Sequence, residues 1–235
     1  MRHGTSLALL LMIGLFDMAI LGILILYLTV GVEVTAMGQW KELHSGDPKY
    51  VALTFDDGPN REYTKILLDG LKARNVKASF FLLGKCIPGN EELVKLMDRD
   101  GHLIGVHGMD HRDLAKEKPE YAVKQIAEAG EMIREVTGKE PDYMRPPYGS
   151  WNENLEEAVG KELLLVPVFW DVDSLDWKLQ DSGKIVKKVL KDVENGEIIL
   201  LHDEFAASVE AAFQIIDKLR AKGYTFVTVD ELMVD

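Results

Sequence analysis

Lys49-Tyr50-Val51-Ala52-Leu53-Thr54-Phe55-Asp56-Asp57-Gly58-Pro59 reads as a buried strand running straight into two carboxylates and a turn. Val51–Phe55 is a continuous apolar, β-favouring run without polar alternation, the pattern of a strand covered on both faces. Gly58 and Pro59 end it. Six further runs share this character: Ala78–Leu83, Leu103–Val106, Tyr143–Arg145, Leu164–Trp170, Glu197–Leu201 and Tyr224–Val229. Helical periodicity fills the intervals, over Glu62–Arg74, Asn90–Asp100, Pro119–Thr137, Asn152–Lys161, Gly183–Val193 and Ala207–Lys222. Gly138 and Gly223 stand just past two of these segments, where a left-handed residue closes a helix. Seven strands alternating with helices predict an α/β fold with a parallel sheet and right-handed crossovers. Strand counting leaves an open doubly wound sheet and a closed barrel as alternatives, and no glycine-rich phosphate loop follows the first strand.

The chain has 235 residues, 47% of them apolar, enough for one sizeable domain with a full core. Its formal charge of −12 lies almost wholly beyond residue 36, because 1–36 hold only Arg2, Asp17 and Glu33 as fixed charges. Such a field repels phosphate backbones and excludes nucleic acid as a partner. Cys86 is the only cysteine, so no internal disulfide forms, and it reads as a small buried apolar residue.

Leu7–Val32 is an apolar stretch of 26 residues interrupted by Asp17 alone. As a helix it measures about 39 Å, longer than the hydrocarbon layer. Asp17 costs roughly 2.5–3.5 kcal/mol at mid-span, while sixteen Leu, Ile, Val and Phe residues return roughly 0.3–0.6 kcal/mol each. Residues 1–36 are therefore expected to be a signal-anchor, a single transmembrane helix with its N-terminus inside. The alternative is a cleaved signal with Val34-Thr35-Ala36 at the cleavage site, which would make the protein secreted. Both place the remainder outside the cell membrane, with 37–48 as a linker and 49–235 as the main folded domain.

The chemistry-bearing residues cluster just beyond strand ends: Asp56 and Asp57, His107 and His111, Arg145, Asp173 with Asp176 and Trp177, and His202. In parallel α/β folds that edge carries the active site. His107 and His111 are spaced i,i+4, so a helical turn would set both imidazoles on one face. A carboxylate from a neighbouring strand would complete two nitrogens and one oxygen around a hydrolytic zinc with a position open for water. Adjacent Asp56 and Asp57 ionise together only beside a positive charge, which suits one as ligand and the other as base. Alone, the pair reads equally as a turn. Arg145-Pro146-Pro147-Tyr148-Gly149 is stiff enough to fix an arginine and a backbone N–H in space. His202 is a general acid or a core histidine, and Trp177 a sugar-facing wall or a core residue.

Together these residues resemble the polysaccharide deacetylase family of carbohydrate esterases (family 4). Five motifs occur in order: Thr54-Phe55-Asp56-Asp57-Gly58-Pro59, His107-Gly108-Met109-Asp110-His111, Arg145-Pro146-Pro147-Tyr148-Gly149, Asp173-Ser174-Leu175-Asp176-Trp177 and Leu200-Leu201-His202. Only Gly108 departs, standing where the family carries a hydroxyl residue. The resemblance implies a distorted (β/α)7 barrel in place of the open sheet. It implies Asp57, His107 and His111 as ligands of a divalent metal, zinc first, with cobalt or manganese as alternatives. Asp56 would be the base held by Arg145, and His202 the acid. Asp176 would tune His202 or contact Arg145. Tyr148 would offer its N–H to the oxyanion, and Trp177, Tyr148 and Leu200 would face the substrate. The implied reaction removes N-acetyl groups from N-acetylglucosamine-containing polysaccharide. Gly196–Leu232 looks most like bacterial peptidoglycan N-acetylglucosamine deacetylases, which puts peptidoglycan before chitin oligosaccharides. A non-catalytic, membrane-anchored glycan-binding protein is the rival reading, against which the presence of both Asp56 and His202 counts.

Overall fold

Strand β1 (Lys49–Asp56) has two faces that its composition hides. Val51, Leu53 and Phe55 belong to the large apolar core, whereas Ala52 packs with Phe81, Val168 and Val229 in a separate small cluster. Side chains alternate along a strand, so Thr54 and Asp56 share the face of Ala52. One side of the sheet is thus apolar against helices, and the other lines a small, partly polar interior.

The structure is a computed structural model and describes residues 48–233. The expected membrane span lies outside them, as do most of the linker and the last two residues. Among the described residues no helix is long and apolar enough to cross a membrane.

All strand pairings are parallel: β1 with β2 (Ser79–Leu82), β2 with β3 (Leu103–Val106), β3 with β4 (Tyr143–Met144) and β4 with β5 (Val166–Pro167). On its other edge β1 pairs along Val51–Asp56 with β7 (Glu197–His202), which pairs with β6 (Val172–Asp173). The edge facing β2 is shared, since β8 (Tyr224–Val227) takes Lys49–Ala52 and β2 takes Thr54–Asp56. Strands β5 and β6 are two pieces of one extended run that changes neighbour: Val168 N–H still bonds Met144 O (2.8 Å), and Asp171 N–H already bonds Ile198 O (3.0 Å). The sheet is curled. Two strands separate β1 from β4, roughly 14 Å in a flat sheet, yet Arg145 just beyond β4 reaches Thr54 Oγ1 at 2.7 Å. This parallel α/β arrangement fits a distorted (β/α)7 barrel.

The helices are α1 (Thr64–Ala73), α2 (Glu91–Arg99), α3 (Pro119–Thr137), α4 (Glu153–Glu162), α5 (Asp176–Leu179), α6 (Ser182–Asp192), α7 (Ala206–Arg220) and α8 (Val229–Met233). Six match the sequence expectation within a few residues. Asn152 and Asp181 accept N–H groups at the starts of α4 and α6, and Gly138 closes α3 at φ 74°. Three expectations need correction. The fifth strand is short and resumes as β6, so Asp173 lies in a strand and not after one. The last strand stops at Val227, and Val229 opens α8. The short α5, holding Asp176 and Trp177, was not expected.

Candidate active site

The strand ends turn sharply because several residues that are not glycine adopt left-handed backbone: Asp57 (φ 73°), His111 (63°), Tyr148 (63°) and Leu175 (53°). Such conformations are costly and persist where surrounding structure imposes them. The turn at Asp57 gives two consecutive carboxylates different directions. His107 and His111 do not lie on a helical turn, contrary to expectation. They meet through a loop with positive φ at Gly108 (79°) and His111. Gly108 has room for a Cβ, with only Leu114 Cδ1 at 3.7 Å, so its glycine answers to backbone conformation. The end of β2 ties the loops together: Leu83 N–H bonds Gly58 O (3.0 Å), Gly84 N–H bonds Gly108 O (2.9 Å), and Leu82 O accepts from His107 N–H (2.8 Å).

Three ligand atoms converge there. His107 Nε2 and His111 Nε2 lie 3.6 and 3.4 Å from Asp57 Oδ1, and one donor atom from each of these residues falls within 4.8 Å of the others. His107 Nδ1 is 2.7 Å from the Arg145 carbonyl, which only accepts, so Nδ1 carries the proton and Nε2 presents a lone pair. Burial lowers the pKa of both histidines, favouring neutral rings, and Asp57 Oδ1 is buried with no hydrogen-bond partner. A His107 lone pair and the neutral His111 ring converging on a carboxylate oxygen that has no hydrogen-bond partner fit a divalent cation. The protonated Nδ1 held by a carbonyl is the outer support such ligands have.

Asp56 is organised separately. Arg145, wholly buried, donates through Nη1 to Asp56 Oδ1 (2.8 Å) and Thr54 Oγ1. Its Nε and Nη2 reach the carbonyls of Val168 (3.3 Å) and Phe169 (3.1 Å), where the β5–β6 run changes neighbour. The guanidinium lies 4.3 Å from the Phe81 ring centroid. Asp56 Oδ2 stays on the cation side, 3.8 Å from His107 Nε2.

His202 has its own counter-group. Its Nδ1 is 2.7 Å from Asp176 Oδ1, and its backbone N–H bonds Asp176 Oδ2 at 2.8 Å. Burial alone would lower the His202 pKa, but the bond to Asp176, the charge of Asp176 and those of Asp56 and Asp57 outweigh it and raise it to about 9. Of the two expectations for Asp176, the structure places it on His202. His202 Nε2 is 4.0 Å from Asp57 Oδ2.

All of this opens into a cavity of about 400 Å³. Tyr148, Trp177 and Leu200 line it, the first two 67% and 53% exposed. The Tyr148 ring packs edge-on against His111, centroids 4.4 Å apart. Two neighbouring N–H groups of its turn, those of Gly149 and Ser150, bond the carbonyls of Pro146 (3.0 Å) and Pro147 (3.1 Å).

The family model described as "Polysaccharide deacetylase" matches residues 44–163, about half of the chain. The chain belongs to the polysaccharide deacetylase family. Among its relatives is the peptidoglycan-N-acetylglucosamine deacetylase PgdA of Listeria monocytogenes, 40% identical over 184 residues, covering 78% of this chain and 39% of PgdA. A peptidoglycan-N-acetylglucosamine deacetylase of Bacillus cereus is 40% identical over 187 residues, covering 77% of this chain and 67% of that protein. The peptidoglycan-N-acetylmuramic acid deacetylase PdaC of Bacillus subtilis is 38% identical over 184 residues, 78% of this chain and 38% of PdaC. A solved structure of PdaC gives a TM-score of 0.75 at 37% identity, covering 80% of this chain and 92% of that one. The chain thus spans about two fifths of PgdA and PdaC.

In this member of the family, sequence reasoning missed several residues at the site. Thr54 bonds Arg145, Phe81 supports its guanidinium, and Trp170, Glu204 and Phe205 line the cavity. Thr54 and Phe81 were legible only once period-2 alternation assigned them to the interior face. Glu204 and Phe205, immediately after His202, could have been placed by their position beyond a strand end.

Proposed function

We propose that this chain is a metal-dependent N-deacetylase of N-acetylglucosamine-containing polysaccharide, with peptidoglycan as its substrate. One observation carries the reading: a cation-ready triad of Asp57, His107 and His111 stands beside an arginine-held carboxylate and an aspartate-held imidazole. The names of the peptidoglycan deacetylases among the relatives support the polymer.

Asp57, His107 and His111 would hold the metal, zinc in first place. Bound there, it supplies Lewis acidity to an acyl carbonyl and to water. Asp56 accepts the proton of the attacking water at Oδ2, because Arg145 occupies Oδ1. The Tyr148 N–H donates to the oxyanion that develops as the acetamide carbonyl becomes tetrahedral. His202 donates its Nε2 proton to the leaving nitrogen while Asp176 holds Nδ1. The C–N bond breaks, giving acetate and a free amine on the sugar. Trp177 and Leu200 contact the sugar ring.

Residues 1–36 would anchor the protein in the cell membrane, 37–48 would tether it, and 49–235 would act outside.

The test is acetate release by the purified chain from peptidoglycan and from chitin oligomers, with and without added zinc. Zinc-dependent release, faster on peptidoglycan, is expected. Glycan binding without release under any metal would replace the reading by a non-catalytic binder, and faster release from chitin oligomers would replace the polymer.

A further inference from the structure

Asp203, directly after His202, is fully buried, and neither the family motifs nor the proposed chemistry uses it. Its carboxyl fills the space beside Gly58, where a Cβ would meet Oδ2 at 2.5 Å and Oδ1 at 2.6 Å. The hydroxyl of Thr64, the first residue of α1, donates to that carboxyl and accepts the Asn60 N–H at 2.7 Å. Gly58 and Asn60 bracket the turn that leaves Asp57. One carboxyl at the end of β7 therefore holds the turn after β1 at two points, by packing at Gly58 and through Thr64 at Asn60.

The arrangement is expensive for a merely structural contact. Burial pushes the Asp203 carboxyl up to about 7, and its Oδ1 has no hydrogen-bond partner. A hydroxyl in place of the acid would accept from Thr64 without burying a titratable group, but it would not fill the space beside Gly58.

We infer that Asp203 is a positioning residue that sets the Asp56–Asp57 turn relative to His202, and so fixes the Asp57 carboxylate for the cation. The inference rests on the metal-dependent reading above. Asp203 touches neither substrate nor cation. It acts through Gly58 and the Thr64–Asn60 link.

The experiment is a zinc titration of the metal-free full chain by competition with a chromophoric chelator, with kcat, KM and melting temperature measured on the same preparations. Asp203→Ala should weaken zinc binding about 10-fold or more, as loss of outer supports does elsewhere, and lower kcat with little change in KM. Asp203→Asn, which keeps the acceptor and the shape, should recover most of both. Thr64→Val should reproduce the loss, and Thr64→Ser should restore it. Gly58→Ala should weaken zinc binding in the wild type and do so less in the Asp203→Ala background, where the space is free. Folded Asp203→Ala and Thr64→Val proteins with wild-type zinc affinity and kcat would overturn the inference, whatever their melting temperatures. Should Asp203→Ala fail to fold, Thr64→Val and Asp203→Asn decide on the same readouts. A wild-type chain that binds no zinc would sink the metal-dependent reading itself and this inference with it. Zinc binding in the wild type with no effect in the variants sinks the inference alone.

Discussion

Asp56 and His202 are the last matched pair of β1 and β7, side by side at the ends of two parallel strands. Matched residues on neighbouring parallel strands point to the same face, so a carboxylate and an imidazole reach the cavity together. Each has a private buried partner, Arg145 for the first and Asp176 for the second. The proposed base and acid thus have separate buried partners, although Arg145 also touches the histidine pair through its carbonyl on His107 Nδ1.

Neither side chain belongs to the Asp57–His107–His111 triad, which separates catalysis from metal binding. Asp56→Asn and His202→Ala should each lower kcat by roughly 10²–10⁴-fold and leave zinc affinity close to wild type. Asp57→Ala should lose both. Acetate release and zinc titration on the same preparations check this, and a fall in zinc affinity with His202→Ala would contradict it.

The His202–Asp176 bond predicts a pH-dependent stability. The folded pKa of His202 is raised to about 9 from an ordinary 6.5, so the folded protein binds the proton more tightly than the unfolded chain. Its stabilisation is complete below about pH 6.5 and is lost as pH rises through about 9. The shift corresponds to roughly 3 kcal/mol. Urea unfolding of metal-free protein across that window should show the loss, and Asp176→Asn should flatten it. In the metal-loaded protein the alkaline limb of the rate profile should move to lower pH in Asp176→Asn, which loses the carboxylate held on Nδ1.

Arg145 bears on stability as well as rate. Arg145→Met leaves Asp56 buried without its counter-charge and two carbonyls without donors, and should cost about 3–5 kcal/mol. Arg145→Lys should recover only part, because one ammonium cannot reach Thr54, Asp56, Val168 and Phe169 together. Denaturant unfolding measures both. A lysine variant as stable as the wild type would refute the four-acceptor account.

Much of this was legible in the sequence, for identifiable reasons. Strands such as Val51–Phe55 announce themselves because both faces are buried, and the ionisable residues beyond them mark one edge. What the pattern could not reveal is which buried residue faces which way. Thr54 and Phe55 are neighbours in one buried run, yet one faces Arg145 and the other the helices. The Leu164–Trp170 run looked like one strand because nothing local signals a change of neighbour. The i,i+4 histidines suggested a helix. Their proximity comes instead from left-handed residues, which Gly108 hints at and His111 does not.

Removing metal should abolish acetate release and lower the melting temperature. Zinc at 100 times its dissociation constant should return about 2.7 kcal/mol, an increment that His107→Ala should eliminate. Thermal unfolding with and without zinc measures it.

Trp177 is half exposed at the cavity rim, so Trp177→Ala should leave the fold intact. Loss of a stacking surface worth about 0.5–1.5 kcal/mol should raise KM roughly 2–10-fold with a smaller effect on kcat. An unchanged KM on oligomeric substrate would remove Trp177 from the sugar contact.

Of the four hydrogen bonds that the Arg145 side chain donates, one goes to the Asp56 carboxylate, one to the Thr54 hydroxyl and two to main-chain oxygens that only need company. A lineage that abandoned the proposed reaction could exchange Asp56 for asparagine, which still accepts from the guanidinium, and still fold. It could not as readily surrender the guanidinium, which would outlive the activity it once served.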